Sequence, residues 1–401
     1  MRLLIIQHGG DYREAFLRFA EGGQENYYAQ RYSVELVANL AQRSDVEEVA
    51  TICCLTPEPY DDILGSGLRA IGLGFQGKVK VQKLLDAISK FAPTHLIVRT
   101  PETSIFRWAI QNKVKTIALL ADSFKNQKIK NKIKNFYLAS LLNNPRISWI
   151  GNHNLNASLS LAKIGIKREK IIPWDWPHDI NPNMFPVKSL SLPSQEWKIF
   201  YVGTLSEGKG VTDLINAVGI LKKKKHPVHL DLAGKGQLEN FRQQVSNLGL
   251  EEQVNFLGLV AHNQIIPLMR KADVIVVPSR DTQPEGLPMT LYEGLCSRTP
   301  LVISDHPMFV NKFQSEVSAM VFSAGNPQVL AQSIEALMTN YELYYKLSNE
   351  APKTWYKIQI PVLWGDLIQG WLEDSVTSRE WFKKYCLSSD FYQDSLTTLD
   401  L

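Results

Sequence analysis

Short apolar runs alternate along the chain with longer stretches in which apolar residues recur every three or four positions. In the first half of the chain, the short runs predict buried strands and the longer stretches predict amphipathic helices. A loop that contains Gly10, Gly22 and Gly23 is predicted between the first strand and the first helix. The predicted strands cover residues 3–6, 49–55, 95–98, 116–120, 147–150 and 171–172, and the predicted helices cover 28–41, 81–91 and 104–112.

The same alternation restarts after residue 196. Continuous apolar strands separated by helices are typical of a parallel sheet covered on both faces, so each half of the chain predicts one such sheet. The strands of the second half are predicted at 198–202, 228–233, 254–257, 274–278 and 300–303, and its helices at 211–221, 237–248, 264–271, 289–297 and 327–339.

The periodicity stops in the segment that joins the two halves, where Pro177, Pro182, Pro186 and Pro193 interrupt the chain. The predicted fold class is therefore α/β, with two doubly wound Rossmann-like domains that face each other across a cleft. A ligand is expected at the carboxyl ends of the strands. The predicted divisions are a first domain over 1–180, a linker over 181–196, a second domain over 197–350, and a helical tail over 351–401 that crosses back to the first domain.

Composition narrows the function classes. The 401 residues exceed what one hydrophobic core usually fills, and the net charge of +4 is too small to indicate nucleic acid as a partner. The four cysteines, two of them adjacent, lack metal-ligand spacing and are expected to be buried thiols in a reducing compartment. No apolar run approaches the roughly 18 residues of a membrane span. We therefore expect a cytoplasmic protein, peripheral to the inner face of the plasma membrane.

A glycine-rich loop follows the first strand of the second half and opens a helix. It reads Gly203-Thr204-Leu205-Ser206-Glu207-Gly208-Lys209-Gly210. Glycines allow the backbone to approach an anion, the helix N-terminus carries a partial positive charge, and Lys209 adds a full one. A diphosphate fits this loop, although a plain turn with a solvent-facing lysine also explains it.

Two glutamates stand eight positions apart around a predicted helix start. Glu285 precedes the segment Gly286-Leu287-Pro288-Met289, and Glu293 lies inside the helix that follows. Because proline suits the first turn of a helix, the amides near Gly286–Met289 are expected to lack helical partners and to face an anion. The two carboxylates can each accept hydroxyl protons from a sugar and a ribose. Two solvated charges are the alternative.

Glycines at two further strand ends, Gly234 and Gly258, suit a flat base lying against the backbone. In this order and spacing, the features of the second half resemble the donor domain of GT-B glycosyltransferases of the large retaining family four (glycosyl transferases group one). The resemblance runs from about Lys198 to Thr339. It includes the pair Glu285 and Glu293, the segment Leu-Tyr-Glu-Gly-Leu and the following strand Pro-Leu-Val-Ile-Ser.

The resemblance implies a role for each matching position. Glu285 would hold the hydroxyls of the donor sugar, Glu293 the ribose hydroxyls, and Lys209 the diphosphate. Glu285 and Lys209 are the expected catalytic residues. The resemblance also implies retention at the anomeric carbon. The remaining donor-binding positions implied are Gly22, Gly23, Gly203, Thr204, Gly234, Gly258, Gly286, Leu287, Pro288 and Met289. No metal and no permanently bound cofactor are expected; the UDP-sugar donor binds only as a substrate.

The sequence departs from the family pattern at two positions. Thr204 replaces the usual arginine after the glycine, which leaves open whether Arg280 or another group compensates. Ala121 replaces the histidine that many relatives carry before an aspartate, while Asp122 is retained as a weak acceptor-side candidate. His153 and His178 are the remaining guesses for a histidine near the reacting sugar. Trp174 and Trp176 are expected either to stack on a sugar or to pack between domains.

In the first half, Gly22-Gly23 resembles the family's N-terminal glycine pair near the donor phosphates, with a simple helix-start loop as the alternative. Five lysines at 125, 128, 130, 132 and 134 share a helical segment with Ile129, Ile133, Phe136 and Tyr137. This Lys125–Lys134 segment is typical of an amphipathic basic helix at a membrane surface. A solvated helix packed on the first domain explains the lysines equally well.

The predicted function is transfer of a sugar from a UDP-sugar to a glycan or lipid-linked acceptor in polysaccharide or glycoconjugate biosynthesis. A hexosyltransferase is the expected enzyme, with UDP-glucose as the candidate donor. Two alternatives stay open. One is a GT-B epimerase or phosphorylase. The other is a non-catalytic nucleotide-sugar-binding protein, which the departures at Thr204 and Ala121 make plausible.

Overall fold

The computed structural model describes residues 1–126, 128–190 and 196–393, and its contacts divide the chain into two compact units. Residues 191–195 of the predicted linker, with Pro193, and residues 394–401 of the predicted tail lie outside the described residues. The first unit comprises Met1–Glu25, Ala29–Pro177 and the chain from Ile360 onward. The second unit comprises Asn26–Tyr28 and His178–Gln359. The domain limits drawn from the sequence stay predictions beside this division.

The first unit is built on an eight-stranded sheet in the order β3-β4-β2-β1-β5-β6-β7-β8. All neighbouring strands are parallel except β3 and β4. The central strands are buried apolar runs, as the sequence predicts. The strands are β1 Arg2–Gln7, β2 Glu48–Cys53, β3 Pro59–Ile63, β4 Arg69–Leu73, β5 His95–Val98, β6 Lys115–Leu120, β7 Ile147–His153 and β8 Ile171–Trp174.

A helix occupies most of the segment predicted as a glycine-rich loop after the first strand. The helix, α1 at Tyr12–Ala20, begins where the Asp11 carboxylate accepts hydrogen bonds from the amides of Arg13 and Glu14. The loop prediction was wrong there. The glycines on both sides indicate a loop, whereas the Asp11 cap starts a helix between them. The other helices before the linker are α2 Gln30–Leu40, α3 Val81–Phe91, α4 Thr103–Gln111, α5 Ile129–Leu142 and α6 Leu155–Lys163.

The antiparallel pair β3 and β4 was not predicted either. Strand β3 is mostly exposed and reads Pro-Tyr-Asp-Asp-Ile, so it has neither an apolar run nor a clear alternation. An ion pair of Arg69 with Asp61 joins β4 to β3, and Arg69 also pairs with Glu48 of β2. Cross-strand contacts of this kind leave no periodic signal in one strand alone.

The second unit is built on a six-stranded parallel sheet in the order β11-β10-β9-β12-β13-β14. Its strands are β9 Trp197–Val202, β10 Val228–Ala233, β11 Val254–Gly258, β12 Val274–Val277, β13 Leu301–Ser304 and β14 Met320–Phe322. Its helices are α7 Val211–Lys223, α8 Leu238–Asn247, α9 Ile265–Lys271, α10 Met289–Ser297, α11 Pro327–Thr339 and α12 Tyr341–Ile358.

The C-terminal part of the chain divides between the units. Helix α12 contains Pro352 in its interior and stays within the second unit. From Ile360 onward the chain belongs to the first unit, with α13 Trp364–Glu373 and α14 Val376–Tyr385.

Two of the tryptophans noted in the sequence lie in the first unit. Trp174 is buried, contacts Trp176 edge to face at 5.1 Å between ring centroids, and donates its indole hydrogen bond to the Leu120 carbonyl. Trp176 in turn lies 5.4 Å from the ring of Trp364. The Trp174 ring is therefore a core element of the first unit and has no open face for a sugar.

Candidate functional site

The glycine-rich loop of the second unit joins β9 to α7 through a backbone that only glycine fits at one position. Gly210 caps α7 with φ +74°, and a Cβ atom there would lie 2.0 Å from the Pro278 carbonyl oxygen. No side chain caps this helix start. The first amides of α7 therefore lie beside Lys209 at the carboxyl end of β9, as an anion-binding loop requires.

Lys209 and Glu285 come from different loops and form an ion pair. The Lys209 ammonium lies 2.6 Å from Oε1 of Glu285, and the Ser279 hydroxyl donates to the same oxygen at 2.9 Å. The Glu285 side chain is only 5% exposed, whereas that of Lys209 is 23% exposed. The structure thus brings together the two residues that the sequence singles out as catalytic, with the lysine on the solvent side.

Thr204 stands where the family pattern has an arginine, and Arg280 is the cation that the sequence offers as a candidate to compensate. Thr204 is exposed, and its carbonyl accepts a hydrogen bond from the buried Tyr201 hydroxyl at 2.7 Å. Arg280 is held by Asp213 through two hydrogen bonds of 2.8 and 2.7 Å. This pairing raises the pKa of Arg280 and commits its guanidinium to Asp213. The substitution at Thr204 is therefore not offset by a free Arg280.

Glu293 rises from α10 into a buried position. Its Oε1 lies 2.8 Å from Nε2 of His262, a residue in the short 3₁₀ turn before α9. Burial raises the pKa of the Glu293 carboxyl, while the hydrogen bond and charge of His262 oppose that rise. Tyr28 lies edge-on to His262 at 5.2 Å between ring centroids. His262 was missed because no motif marks it.

The segment Gly286–Met289 leads into α10. Gly286 and Leu287 are buried, Pro288 is the cap residue, and no side chain caps the helix. Because the first amides of a helix have no partner within it, these groups form a second row of donors beside Glu285. Thr290 fixes the helix start by donating to the Val202 carbonyl at 3.3 Å.

The glycines at the strand ends meet at one edge of the second sheet. The Gly234 amide donates to the Gly258 carbonyl at 2.7 Å, and a Cβ at Gly234 would lie 1.8 Å from the Gly203 carbonyl oxygen. The close approach of three strand ends therefore requires glycine at position 234, with or without a base. Contact of Gly234 and Gly258 with a nucleotide base stays a prediction.

In the first unit, Asp122 follows β6, and burial raises the pKa of its carboxyl, which the nearby His8 opposes. His8, which follows β1 directly, was not singled out, although its place at a strand end could have signalled it. His153, by contrast, is buried and pairs with Asp175 at 3.2 Å between Nε2 and Oδ1. His178 belongs to the second unit, where its ring stacks on Tyr292 at 4.5 Å.

The glycine pair of the first unit lies at the end of α1 and not directly before α2. Gly22 has φ +79°, and the Gly23 amide donates to the Arg18 carbonyl at 2.8 Å. A Cβ at Gly23 would lie 2.7 Å from that same carbonyl oxygen. The placement of this pair at the start of a helix was wrong, because the pair closes the unpredicted helix α1. A role of Gly22 and Gly23 with donor phosphates stays a prediction.

The four cysteines are free thiols buried in the structure, and burial raises the pKa of Cys53 to about 12 and of Cys54 to about 11. Within the described residues, no group of three or more His, Cys, Asp or Glu side chains is arranged to hold a metal ion. No helix in the described part of the chain is long and apolar enough to cross a membrane.

Comparison with known proteins shows which family most of the second unit matches. The family model for Glycosyl transferases group 1 matches residues 186–354. The chain is 26% identical over 202 residues to an uncharacterized glycosyltransferase of Methanocaldococcus jannaschii, covering 49% of this chain and 50% of the relative. It is 29% identical over 156 residues to the amylovoran biosynthesis glycosyltransferase AmsK of Erwinia amylovora, covering 38% of each. The matched segment thus spans about half the length of these curated relatives, or less.

Among solved structures, HepE of Anabaena in complex with UDP-glucose aligns with a TM-score of 0.64 over 100% of both chains, at 15% identity. A likeness at this identity establishes the fold alone, which is GT-B with its two parallel-sheet, Rossmann-like bodies. Both glutamates of the candidate site and its lysine lie inside the segment that the family model matches. Residues 186–354 therefore match the glycosyl transferases group 1 family, and the chain has the GT-B fold.

Proposed function

We propose that the protein is a retaining glycosyltransferase that moves a sugar from a UDP-sugar to a glycan or lipid-linked acceptor. The observation that carries this proposal is the ion pair of Lys209 and Glu285, 2.6 Å apart, in a segment of the glycosyl transferases group 1 family. A buried carboxylate and a solvent-facing ammonium lie there beside two helix starts without side-chain caps. Such a pair can serve a ligand with both hydroxyls and phosphates.

The diphosphate of the donor is assigned to Lys209 and the helix-start amides. The ammonium of Lys209 faces solvent enough to turn toward a phosphate oxygen while Glu285 keeps the Ser279 hydroxyl as a donor. The amides of Gly286, Leu287 and Met289 supply further neutralising dipoles at the start of α10. Gly203 and Thr204 are assigned to the same phosphates because they begin the glycine-rich loop.

The sugars are assigned to the two carboxylates. Glu285 accepts hydrogen bonds from hydroxyls of the transferred sugar, and Glu293 accepts them from the ribose. His262 holds the Glu293 carboxyl in place, because its Nε2 lies 2.8 Å from Oε1 of Glu293. Gly234 and Gly258 are assigned to the uracil base.

The proposed retaining transfer needs no separate base from the protein. The bond between the anomeric carbon and the diphosphate oxygen breaks as the acceptor oxygen bonds to the same face of that carbon. The acceptor hydroxyl proton passes to an oxygen of the departing UDP. The protein's part is to hold the acceptor hydroxyl on the same face of the anomeric carbon as the diphosphate and to stabilise the negative charge that develops on the diphosphate.

The relatives support the nature of the substrates. HepE is described with UDP-glucose, and AmsK is named for amylovoran biosynthesis, which together favour UDP-glucose as donor and a polysaccharide or its lipid-linked precursor as product. The proposed place of action is the cytoplasm, at the inner face of the plasma membrane, where a lipid-linked acceptor would be met.

Kinetics of Glu285→Ala test the proposal. A carboxylate that accepts charged hydrogen bonds from the sugar contributes about 1.5–3 kcal/mol, so transfer from UDP-glucose should fall about 10- to 150-fold. Glu239→Ala is the matched control, because that side chain lies on the same unit and is 83% exposed. A loss below about threefold for Glu285→Ala would remove this residue from the reaction.

Product analysis separates the proposal from its alternatives. The anomeric configuration of the product, read by NMR, must equal that of the donor if the transfer is retaining. An epimerase would convert the donor without an acceptor, and a phosphorylase would consume inorganic phosphate. The alternative of a non-catalytic binding protein is favoured by Thr204 and the committed Arg280. It predicts donor binding with neither transfer nor slow hydrolysis.

A further inference from the structure

Helix α5, the predicted basic helix at Ile129–Leu142, buries one face in the first unit and leaves its other face open. Its buried residues include Leu138, Ala139 and Leu142. At about 100° per residue these positions fall on one side of the helix. Ile129, Ile133 and Phe136 fall on the opposite side, where they are 77%, 67% and 76% exposed. The helix therefore presents an apolar stripe to the outside of its unit.

The stripe is bordered by positive charge on both sides. By the same helical spacing, Lys132 lies along one edge of the stripe, and Lys130 and Lys134 lie along the other. Lys128 directly precedes Ile129, the first residue of the stripe. All four lysines are exposed. The segment from Lys128 to Leu142 contains no aspartate or glutamate, so its charge has one sign only.

The start of the helix is anchored despite its exposure. The buried Asn135 side chain donates to the Lys125 carbonyl at 3.0 Å and to the Asn126 side-chain oxygen at 2.9 Å. On the adjoining helix α4, Arg107 donates to the Tyr137 hydroxyl at 2.6 Å. The stripe and its lysines are thus held on a fixed support.

We propose that the face formed by Ile129, Ile133, Phe136 and the four flanking lysines docks the protein on an anionic lipid surface. The charge complementarity selects this occupant. A free apolar stripe alone would fit a protein as well as a lipid, but lysines on both borders and no acidic residue match a plane of negative headgroups over hydrocarbon. The side chains of Ile129, Ile133 and Phe136 enter the boundary between headgroups and acyl chains, and the ammonium groups contact phosphates.

This inference deepens the proposed function and rests on it, because the membrane is where the proposed lipid-linked acceptor would be met. The binding itself does not require catalysis. Vesicle binding and donor hydrolysis can therefore be measured separately on the same full-length protein, and each can fail without the other.

The test is co-sedimentation of the full chain with vesicles of phosphatidylcholine and phosphatidylglycerol in equal parts, and with vesicles of phosphatidylcholine alone. The wild-type chain should bind the anionic vesicles at least about tenfold more tightly, with affinity that falls as salt is raised. A variant with lysines 128, 130, 132 and 134 changed to glutamine should lose on the order of 100- to 1000-fold in affinity, about fivefold for each lysine.

A matched control changes the same net charge elsewhere on the first unit. Lysines 78, 80, 83 and 90 are also exposed, and their replacement by glutamine lowers the formal net charge from +4 to 0, as the first variant does. This control should keep wild-type affinity within about threefold. An equal loss in both variants would overturn the proposal in favour of a general charge effect.

The apolar part is tested by Ile129→Ser, Ile133→Ser and Phe136→Ser together, which should weaken vesicle binding at least about tenfold. Ile63→Ser is its control, because Ile63 is as exposed as Ile129 at 77% and lies on β3 of the same unit. Donor hydrolysis in both variants should match the wild type and so report an intact fold. Absence of vesicle binding by the wild-type chain would overturn the proposal. So would a self-association broken only by the triple variant.

Discussion

Both units are built of helices and mostly parallel strands, but the polar groups at their strand ends differ in how they are paired and exposed. In the second unit, Lys209 and Glu285 meet from separate loops with the ammonium facing solvent. In the first unit, Arg99 donates to Gln7 and to the Tyr12 hydroxyl, and His153 pairs with the buried Asp175. Lys209 in the first set keeps part of its side chain exposed to solvent, whereas the groups of the second set are paired with one another inside the unit.

This difference shows that topology brings strand ends together but the loops decide whether they bind anything. The carboxyl ends of parallel strands meet at one edge in both sheets. Within the described residues, the second unit combines tight glycine contacts, helix starts without side-chain caps and the ion pair of Lys209 with Glu285 at that edge. At the strand ends of the first unit, Asp122 is partly exposed and the nearby His8 is exposed.

The largest expected effect comes from adding a methyl group at a glycine. Gly210 and Gly22 have similar positive φ angles of +74° and +79°, but only at Gly210 would a Cβ collide with a carbonyl oxygen, whereas nothing lies within 4 Å at Gly22. Gly210→Ala should lower the free energy of unfolding by about 2–5 kcal/mol, from backbone strain plus the clash. Gly22→Ala should cost only about 1–2 kcal/mol. Urea denaturation measures both, and equal losses would contradict the difference.

Removing the charge of Lys209 should have the next largest effect. Lys209→Gln takes a cation from the departing diphosphate, so kcat/KM should fall about 100-fold. Lys235→Gln is the control, because that lysine also follows a strand of the second unit and is exposed. In combination with Glu285→Ala, the losses should be less than additive, since the two side chains are in contact. Steady-state kinetics of the three variants measure this coupling, and strict additivity would argue against a shared role.

A smaller effect is expected from His262. Its imidazole opposes the rise in the pKa of Glu293 that burial causes. The ionised carboxylate is the form that accepts two ribose hydroxyl protons, so UDP should bind more tightly as pH rises through the pKa of Glu293. His262→Asn should shift that increase to higher pH and weaken UDP binding about tenfold near neutral pH. Titration calorimetry at several pH values measures both effects.

The control for this variant is His229→Asn. His229 lies on β10 of the same unit and contacts Asp231 at 3.6 Å, with a side chain about as exposed as that of His262. Its replacement should leave the pH profile of UDP binding unchanged. A profile that stays at the wild-type position in His262→Asn would show that His262 does not act through Glu293.

The smallest effect lies in the first unit and concerns stability alone. Burial, with help from Lys115, lowers the pKa of His95 from 6.5 to about 4. Between these values the unfolded chain takes up a proton that the folded chain does not, so stability should fall as pH drops from 6.5 toward 4. Because His95 is half-buried, solvent screening reduces this to on the order of 1 kcal/mol. Urea midpoints at pH 7 and pH 5 measure it, and His95→Gln should flatten that part of the slope.

Much of the fold could be predicted because burial leaves a periodic signal. Strand β10 and helices α3, α10 and α11 lie where the apolar pattern puts them, to the residue. Helix α1 and strand β3 were missed because the first depends on an Asp11 cap between glycine-rich turns and the second on cross-strand ion pairs. A pattern of single residues does not report contacts that join distant positions.

The residues of the candidate site likewise differ in whether the sequence alone could predict them. Lys209, Glu285 and Glu293 could be singled out because each belongs to a local motif with a fixed spacing. His262 could not, because it reaches Glu293 from another loop 31 positions away. Arg280 reads as an available cation in the sequence, but its pairing with Asp213 is visible only once α7 and the loop after β12 lie side by side.

The sequence by itself determined two parallel sheets, the order of their main elements and the positions of a lysine and two glutamates in a glycosyl transferases group 1 segment. Hydrophobic periodicity and local spacing are sufficient for these, since both are written along the chain. The tertiary structure decided which charges are committed, such as Arg280 to Asp213, and which face of α5 is open. Those outcomes depend on groups brought together from distant parts of the chain, and no local pattern records them.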